Sequence, residues 1–546
     1  MYFDNIMLRV KGKTGMEKRV IAIFTAFCMI IGGICLRLFF VCCTETEYAD
    51  AGTHCFTVSI GNVRGEILDC RGERLTDNDF TFIAAAKPTQ KAAAGLRAVL
   101  DSEAFGLAAE KMKKGNAVTA DIGRTALNEN EDITVMKKEI RYEKNQPARH
   151  LIGYVDSGGR GVTGIEKSFD SLLYTGKSRQ VRFSADAYGR IISGAQTQLV
   201  NTNVRRGSVT LTIDRRIQII AENALDECGV QCGGAVVLDA RNGAVRAMAS
   251  RPVYDTDNLA DYLNADDSPM VNRGLEAYAV GSVFKIVVAA AALESGIEDF
   301  YYTCPGECEV DGVSFHCSSH KAHGELNMRK ALECSCNTYF INLAQKVGAE
   351  KILEITEKLG FGQEIRLADG IVSRSGELPT AEALGKSGEL ANFSFGQGGF
   401  TATMLQLAQM TSAAANGGRY TEPYIIEKTE TADREIKTHK SKYPAVAFSK
   451  ETAGRLTEML VSVVENGNAQ KAKPDSGIKA AGKTATAQTG SFNSDGTEIC
   501  NTWFCGYFPA DNPEYVVVVL KQGGSSGAED CAPVFRKIAD KIYKLQ

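Results

Sequence analysis

Residues 282–295 read SVFKIVVAAAALES, and the reading of this stretch decides the fold. Apolar side chains fall on every face, so as a helix it is central and buried rather than amphipathic. Two residues break the pattern. Ser282 and Lys285 stand at i and i+3, on one helix face, which brings the amine within a hydrogen bond of the hydroxyl. Phe284, Ile286, Val287 and Val288 surround the lysine with hydrocarbon. Desolvation penalises the ammonium form and lowers its pKa, the condition for a general base acting on a serine. Negative charge developing on a serine at the helix start also lies near the positive end of the helix dipole. The same Ser-x-x-Lys spacing recurs at Ser318 and Ser476. Ser318 lies in a loop rich in cysteine and histidine, and Ser476 follows Pro474-Asp475. Only Ser282 combines a preceding glycine with an apolar helix that can bury its lysine.

Outward from this helix, helical periods are expected at about 327–347, 402–415 and 450–466, and strands at 478–489, 500–508 and 514–521. Pro509-Ala510-Asp511-Asn512-Pro513 marks the turn between the last two, and a closing helix covers about 530–544. Upstream, Ser208–Asp214 is a period-two strand entering an amphipathic helix, Arg215–Cys228. Gly233–Asp239 and Ala244–Ser250 form a hairpin. The expected class is α+β, an antiparallel sheet flanked by helices with a helical subdomain beside it. Residues 44–205 are mainly strand and turn, with short charged helices near 91–101 and 103–115, and a boundary turn falls at Arg205-Arg206-Gly207.

Two further groups carry chemistry. Ser335-Cys336-Asn337 opens another helical segment, where a hydroxyl can relay a proton and an amide can hold a substrate carbonyl. Ser491-Phe492-Asn493 has the same form, so the triplet alone is weak evidence. Lys483-Thr484-Ala485-Thr486 lies on a strand whose alternation puts Thr484 and Thr486 on one face and Lys483 on the other unless the strand twists. A lysine with hydroxyls at a strand edge binds a carboxylate. The backbone N–H of Thr486 can pair with that of Ser282 to hold an oxyanion. A second string, Lys13-Thr14-Gly15, sits in a short basic leader with no room for a folded site.

That leader precedes Val20–Leu36, an uncharged apolar run that Leu38–Cys43 extends beyond Arg37, enough to cross a bilayer as a helix. Arg9, Lys11, Lys13, Lys18 and Arg19 outweigh Asp4 and Glu17, which sets residues 1–19 in the cytoplasm, 20–43 as an uncleaved anchor and the rest outside. A net charge of -4 over 546 residues gives no sign of a nucleic-acid partner. Sixteen cysteines are many for an exported chain. Cys304, Cys308 and Cys317, with His320 and His323, do not have zinc-ribbon spacing, so no metal and no cofactor are expected. A disulfide among the three cysteines is the first expectation, and free thiols in a reducing habitat are the other.

In this order and on these elements, Ser282-x-x-Lys285, Ser335-x-Asn337 and Lys483-Thr484-Ala485 resemble the marks of class B penicillin-binding proteins, the monofunctional D,D-transpeptidases of peptidoglycan synthesis. Arg64-Gly65-Glu66-Ile67-Leu68-Asp69, His150-Leu151-Ile152-Gly153-Tyr154 and Gly164-Ile165-Glu166 are similar to signatures of the family's N-terminal pedestal. Leu211-Thr212-Ile213-Asp214, Asn272-Arg273, His323-Gly324, Gly396-Gln397-Gly398 and Trp503-Phe504 resemble strings of its catalytic domain. The resemblance implies a pedestal of the dimerisation type over 44–205 and a transpeptidase domain over 206–546; with the last expected helix ending just before Gln546, no appended wall-binding module is expected. It implies that Ser282 attacks the carbonyl between the terminal D-alanines of a stem peptide and that Lys285 takes its proton. By the same resemblance Ser335 and Lys483 would pass a proton to the leaving group, Asn337 would position the stem, and Lys483, Thr484 and Thr486 would bind the terminal carboxylate. β-Lactams would then acylate Ser282 as mimics of the donor, and a membrane glycan polymerase is the implied partner. Two departures stand out: Val280 replaces the family's proline, and Ala485 replaces a glycine, where the added methyl can crowd the substrate or a helix.

The rival readings are a membrane-anchored β-lactamase, a non-catalytic β-lactam sensor and a silent scaffold. The first needs a deacylating base, and no convincing Glu-x-x-Leu-Asn stretch follows Ser335. The second needs a cytoplasmic effector larger than this leader, and the third sits badly with a full set of candidate groups.

Overall fold

A computed structural model describes residues 4–43 and 54–545, except 189, 193, 194, 196, 440, 441, 494 and 495. Its first helix, α1 (Asp4–Cys43), contains an apolar stretch, Arg19–Leu38, of mean hydropathy 2.3 with no side chain buried against protein. Among the described residues it is the one helix long and apolar enough to cross a membrane. Lys13, Thr14 and Gly15 belong to this helix, so that string is not on a strand.

The chain, α1 included, groups into two compact units. The smaller comprises Met1–Ile60, Phe82–Met136 and Gln180–Val200. Strand Asp79–Ala86 pairs antiparallel with Val118–Gly123, and Ala84, Ala86, Val118, Ile122 and Ile133 pack with Leu96 and Met112. The latter two come from helices Gln90–Arg97 and Ser102–Lys113. Each helix starts where a side chain takes up an otherwise orphaned backbone donor: Thr89 accepts from Ala92 N, and Asp101 from Ala104 N.

The larger unit comprises Gly61–Thr81, Lys137–Arg179 and Asn201–Gln546. In chain order its main elements are α2 (Arg215–Glu227), β1 (Gly233–Asp239), β2 (Val245–Arg251), α3 (Lys285–Glu294), α4 (Asn337–Val347), α5 (Met404–Ala415), α6 (Lys450–Glu465), β3 (Ala481–Phe492), β4 (Glu498–Phe508), β5 (Tyr515–Gln522) and α7 (Ala532–Tyr543). The strands form one antiparallel sheet in the order β2-β1-β5-β4-β3. Helices α2 and α7 pack together on one side, while α5 and α6 contact the other, with α3 behind them. Coverage on both faces explains why Val516–Leu520 is buried without alternation. Every residue of α3 from Lys285 to Ala292 is buried, as its unbroken apolar sequence requires.

The signatures around Arg64 and Glu166 meet in this unit. Glu166, fully buried, accepts from Arg64 Nε at 2.6 Å and from Arg141 at 2.8 Å, and Tyr142 donates to it at 3.0 Å. Arg141 also pairs with Asp77, and Arg64 with Asp170 at 2.9 Å. Such a network is locked by completeness, because removing one partner strands the others and costs about 3–5 kcal/mol.

Candidate active site

Ser282 does not open an α-helix directly. Gly281–Phe284 forms a 3-10 turn and α3 begins at Lys285. Three residues per turn eclipses i and i+3, which stacks Lys285 over Ser282 more closely than an α-helix does. Gly281 allows this entry with φ +67, a left-handed conformation that a side chain resists. Its N–H donates to Gly396 O at 2.8 Å, and a Cβ on Gly396 would lie 2.2 Å from Gly281 O. The Gly396-Gln397-Gly398 turn is therefore the floor under the serine. Behind it, Phe284 packs on Phe393 and Phe400 at centroid distances of 4.5 and 4.7 Å, which fixes the start of α3.

Lys285 is fully buried and its Nζ has four partners: Ser282 Oγ at 3.0 Å, Ser335 O at 2.8 Å, Ser335 Oγ at 3.2 Å and Asn337 Oδ1 at 2.7 Å. Burial pushes its pKa down to about 8. Ser282 itself is half-buried, open enough for a reactant. Ser335 holds φ +54 between helix Met328–Glu333 and α4, a conformation costing an L residue roughly 1–2 kcal/mol. That bend turns both its carbonyl and its hydroxyl onto Lys285. Asn337 is held from its other end by donating to His316 O at 2.9 Å.

Lys483 approaches from β3. It is fully buried, donates to Thr484 O at 3.0 Å, and burial with the nearby Lys285 charge holds its pKa well below the usual lysine value. Alternation places Thr484 and Thr486 on the opposite face, opposite Phe504 and Thr502 on β4. Thr484 is buried and donates to Asn468 Oδ1 at 3.2 Å, whereas Thr486 is exposed and its hydroxyl accepts from Gly527 N at 3.4 Å. As the last strand in the sheet, β3 leaves one backbone edge open, and Thr486 O on that edge lies 3.1 Å from where a Cβ on Gly281 would be. A strand residue points its N–H and C=O to the same side, so the Thr486 N–H shares this edge.

Ala485 faces inward with Lys483 and Ala487. It is buried opposite Trp503, whose indole N–H donates to Ala279 O at 2.9 Å. The extra methyl thus packs in the core rather than projecting into solvent.

The look-alike motifs do not reproduce this cluster. Ser318 lies in a separate turn and lines, with Lys321, a cavity that Asn468 also lines, Lys479 pairs with Asp511 at 3.7 Å, and Ser491-Phe492-Asn493 is at the exposed end of β3. The expected disulfide is absent: Cys304 Sγ and Cys317 Sγ are 3.7 Å apart, and the described cysteines are free thiols. Sequence reasoning missed the Phe284 cluster, the Gly396 carbonyl and Asn468. For the last, the Asn466-Gly467-Asn468 run ending α6 was the available signal.

Residues 233–540, which carry all of these groups, match the family model described as the penicillin binding protein transpeptidase domain. The chain belongs to this penicillin-binding family. Stage V sporulation protein D of Bacillus subtilis (strain 168) is 32% identical over 84% of this chain and 73% of its own length. Penicillin-binding protein PbpB of Mycolicibacterium smegmatis is 30% identical, covering 86% of this chain and 74% of its own. Among solved members of the family, the D,D-transpeptidase domain of a peptidoglycan glycosyltransferase from Eggerthella lenta superposes with a TM-score of 0.64 at 25% identity, over 89% of this chain and 99% of that one. The layout of an N-terminal apolar helix followed by a penicillin-binding transpeptidase fold is that of class B penicillin-binding proteins.

Proposed function

We propose that this chain is a serine D,D-transpeptidase that cross-links peptidoglycan stem peptides, with Ser282 as nucleophile. The observation that carries this reading is the buried Lys285 amine 3.0 Å from Ser282 Oγ. Neutral Lys285 takes the Ser282 proton as Oγ bonds to the penultimate D-alanine carbonyl carbon. The Ser282 and Thr486 N–H groups hold the resulting oxyanion. The C–N bond to the terminal D-alanine then breaks, and its nitrogen receives the proton taken up by Lys285, passed on through Ser335 and Lys483. An amine on a second stem attacks the ester carbon, the C–Oγ bond breaks as the C–N bond forms, and the amine's proton passes through the same lysines to Ser282 Oγ, which regenerates the hydroxyl as the cross-link forms.

Asn337 steers the stem, and the β3 edge with Lys483, Thr484 and Thr486 receives the terminal carboxylate, whose arrival favours the ammonium form of Lys483. A β-lactam follows the first half of this path and stops at the ester. The domain boundary near Arg206, the pedestal over 44–205, a cytoplasmic N-terminus and a membrane glycan polymerase as partner belong to the same proposal.

The test is labelling of the detergent-solubilised full chain with a fluorescent penicillin. Ser282→Ala should abolish a label that persists on the unaltered protein. Labelled Ser282→Ala protein contradicts the assignment, and rapid turnover of a chromogenic cephalosporin makes the chain a β-lactamase instead.

A further inference from the structure

The cysteine that separates Ser335 from Asn337 does not point at the reactive groups. Cys336 Sγ lies 3.6 Å from Cys317 Sγ, Cys317 Sγ is 3.7 Å from Cys304 Sγ, and Cys304 Sγ is 3.4 Å from His323 Nδ1. All four ligand atoms fall within 4.8 Å of one another; the cysteines are buried and the histidine half-buried. We propose that Cys304, Cys317, His323 and Cys336 bind one zinc ion.

The geometry fits a single tetrahedral ion. Zn–S bonds of about 2.3 Å and Zn–N bonds of about 2.0–2.1 Å put neighbouring ligand atoms roughly 3.6–3.8 Å apart. Sulfurs this close leave no room for a multi-iron cluster, and three thiolates with one imidazole are a donor set that selects zinc. The surroundings treat the sulfurs as acceptors. Gly306 N and Tyr339 N each donate to one at 3.4 Å, and Thr338 Oγ1 donates to Cys304 Sγ at 3.1 Å. Donors converging on ligand atoms are the outer shell of a metal site. The zinc-ribbon comparison fails because the ligands are not those the sequence groups. Cys308 packs instead with Phe315, Ile341 and Ala391, and His320 stacks on exposed His316 at 4.1 Å. The fourth ligand comes from the Ser335-Cys336-Asn337 triplet, on another element.

The ion therefore joins two segments. Cys304 and His323 flank a strand pair, Tyr302–Cys304 with Gly324–Leu326, and Cys317 follows the hairpin Glu307–His316. Cys336 ties these to the turn where Ser335 holds φ +54. Zinc makes Cys336 a positioning residue for Ser335 and Asn337, a consequence that rests on the transpeptidase reading, whereas the metal site does not.

The experiment is metal analysis of the full chain, purified in detergent without chelators from zinc-replete cells. About one zinc per chain is expected, as for a closed structural site. Cys317→Ser should lose it and Cys308→Ser should keep it. Because Cys317→Ser can misfold, the unaltered protein is also exchanged with cobalt. The intense visible and thiolate-to-cobalt bands of a tetrahedral sulfur-rich site should appear, and zinc should displace them. A metal-free unaltered chain, zinc undiminished in a folded Cys317→Ser protein, or cobalt without thiolate bands overturns the site. Stripping zinc should slow penicillin acylation, and its return should restore the rate. An unchanged acylation rate in stripped protein overturns the positioning role, while absence of all labelling strikes the transpeptidase reading and leaves the metal site standing.

Discussion

In the proposed reaction Lys285 is the residue on which the chemistry turns, because its amine is enclosed by hydrocarbon and yet meets two hydroxyls, a carbonyl and an amide. A lysine whose pKa burial has lowered to about 8 is mostly protonated below that pH and gains its base form as pH rises through it. β-Lactam acylation should therefore climb with pH and level off above about 8, and a flat profile from stopped-flow measurements across that pH removes Lys285 as the base. Ala485 gives a second expectation at this scale. Since its methyl is buried opposite Trp503, Ala485→Gly removes packing and adds strand entropy, together destabilising by roughly 1–2 kcal/mol. Thermal unfolding should register that loss while the acylation rate stays put. A changed rate with unchanged stability means that the methyl reaches substrate after all.

At the scale of elements, the serine turn is set by a partner distant in sequence. Gly396 carries φ +75 and sits with its carbonyl on Gly281 N, so Gly396→Ala pushes a methyl into the Gly281 carbonyl. A displacement near 1 Å at the nucleophile costs about 100-fold in rate. Acylation should fall by that order in a protein whose circular dichroism is unaltered, and a normal rate means that the turn is not the floor it is taken for. Much of this arrangement was legible beforehand. The i, i+3 pair of Ser282 and Lys285, the unbroken apolar run of α3 and the alternation of β3 are local patterns, and local patterns survive folding. The 3-10 turn was hidden because it depends on Gly281 meeting Gly396. The thiol cluster was hidden because Cys336 reads as the middle of a catalytic triplet, and only tertiary packing carries it to Cys304 and Cys317.

Across the whole molecule, among the described residues, one apolar helix fit for a bilayer precedes a transpeptidase-fold unit whose sheet is covered on both faces and whose free edge runs along the Ser282 turn. The groups proposed to react arrive from three places, the 3-10 turn at Ser282, the bend at Ser335 and strand β3 at Lys483, and no local segment supplies all of them. The buried Glu166 network shows the same logic in residues the sequence displays as separate strings, Arg64 and Gly164-Ile165-Glu166. The central claim is that this convergence makes Ser282 the acylated residue. Mass spectrometry of the full chain after penicillin treatment tests it most directly. The account predicts an increase of one intact penicillin mass, mapped by proteolysis to the peptide containing Ser282 and lost in Ser282→Ala. An adduct mapped to Ser335 or Cys336, or an unmodified chain after prolonged exposure, contradicts it.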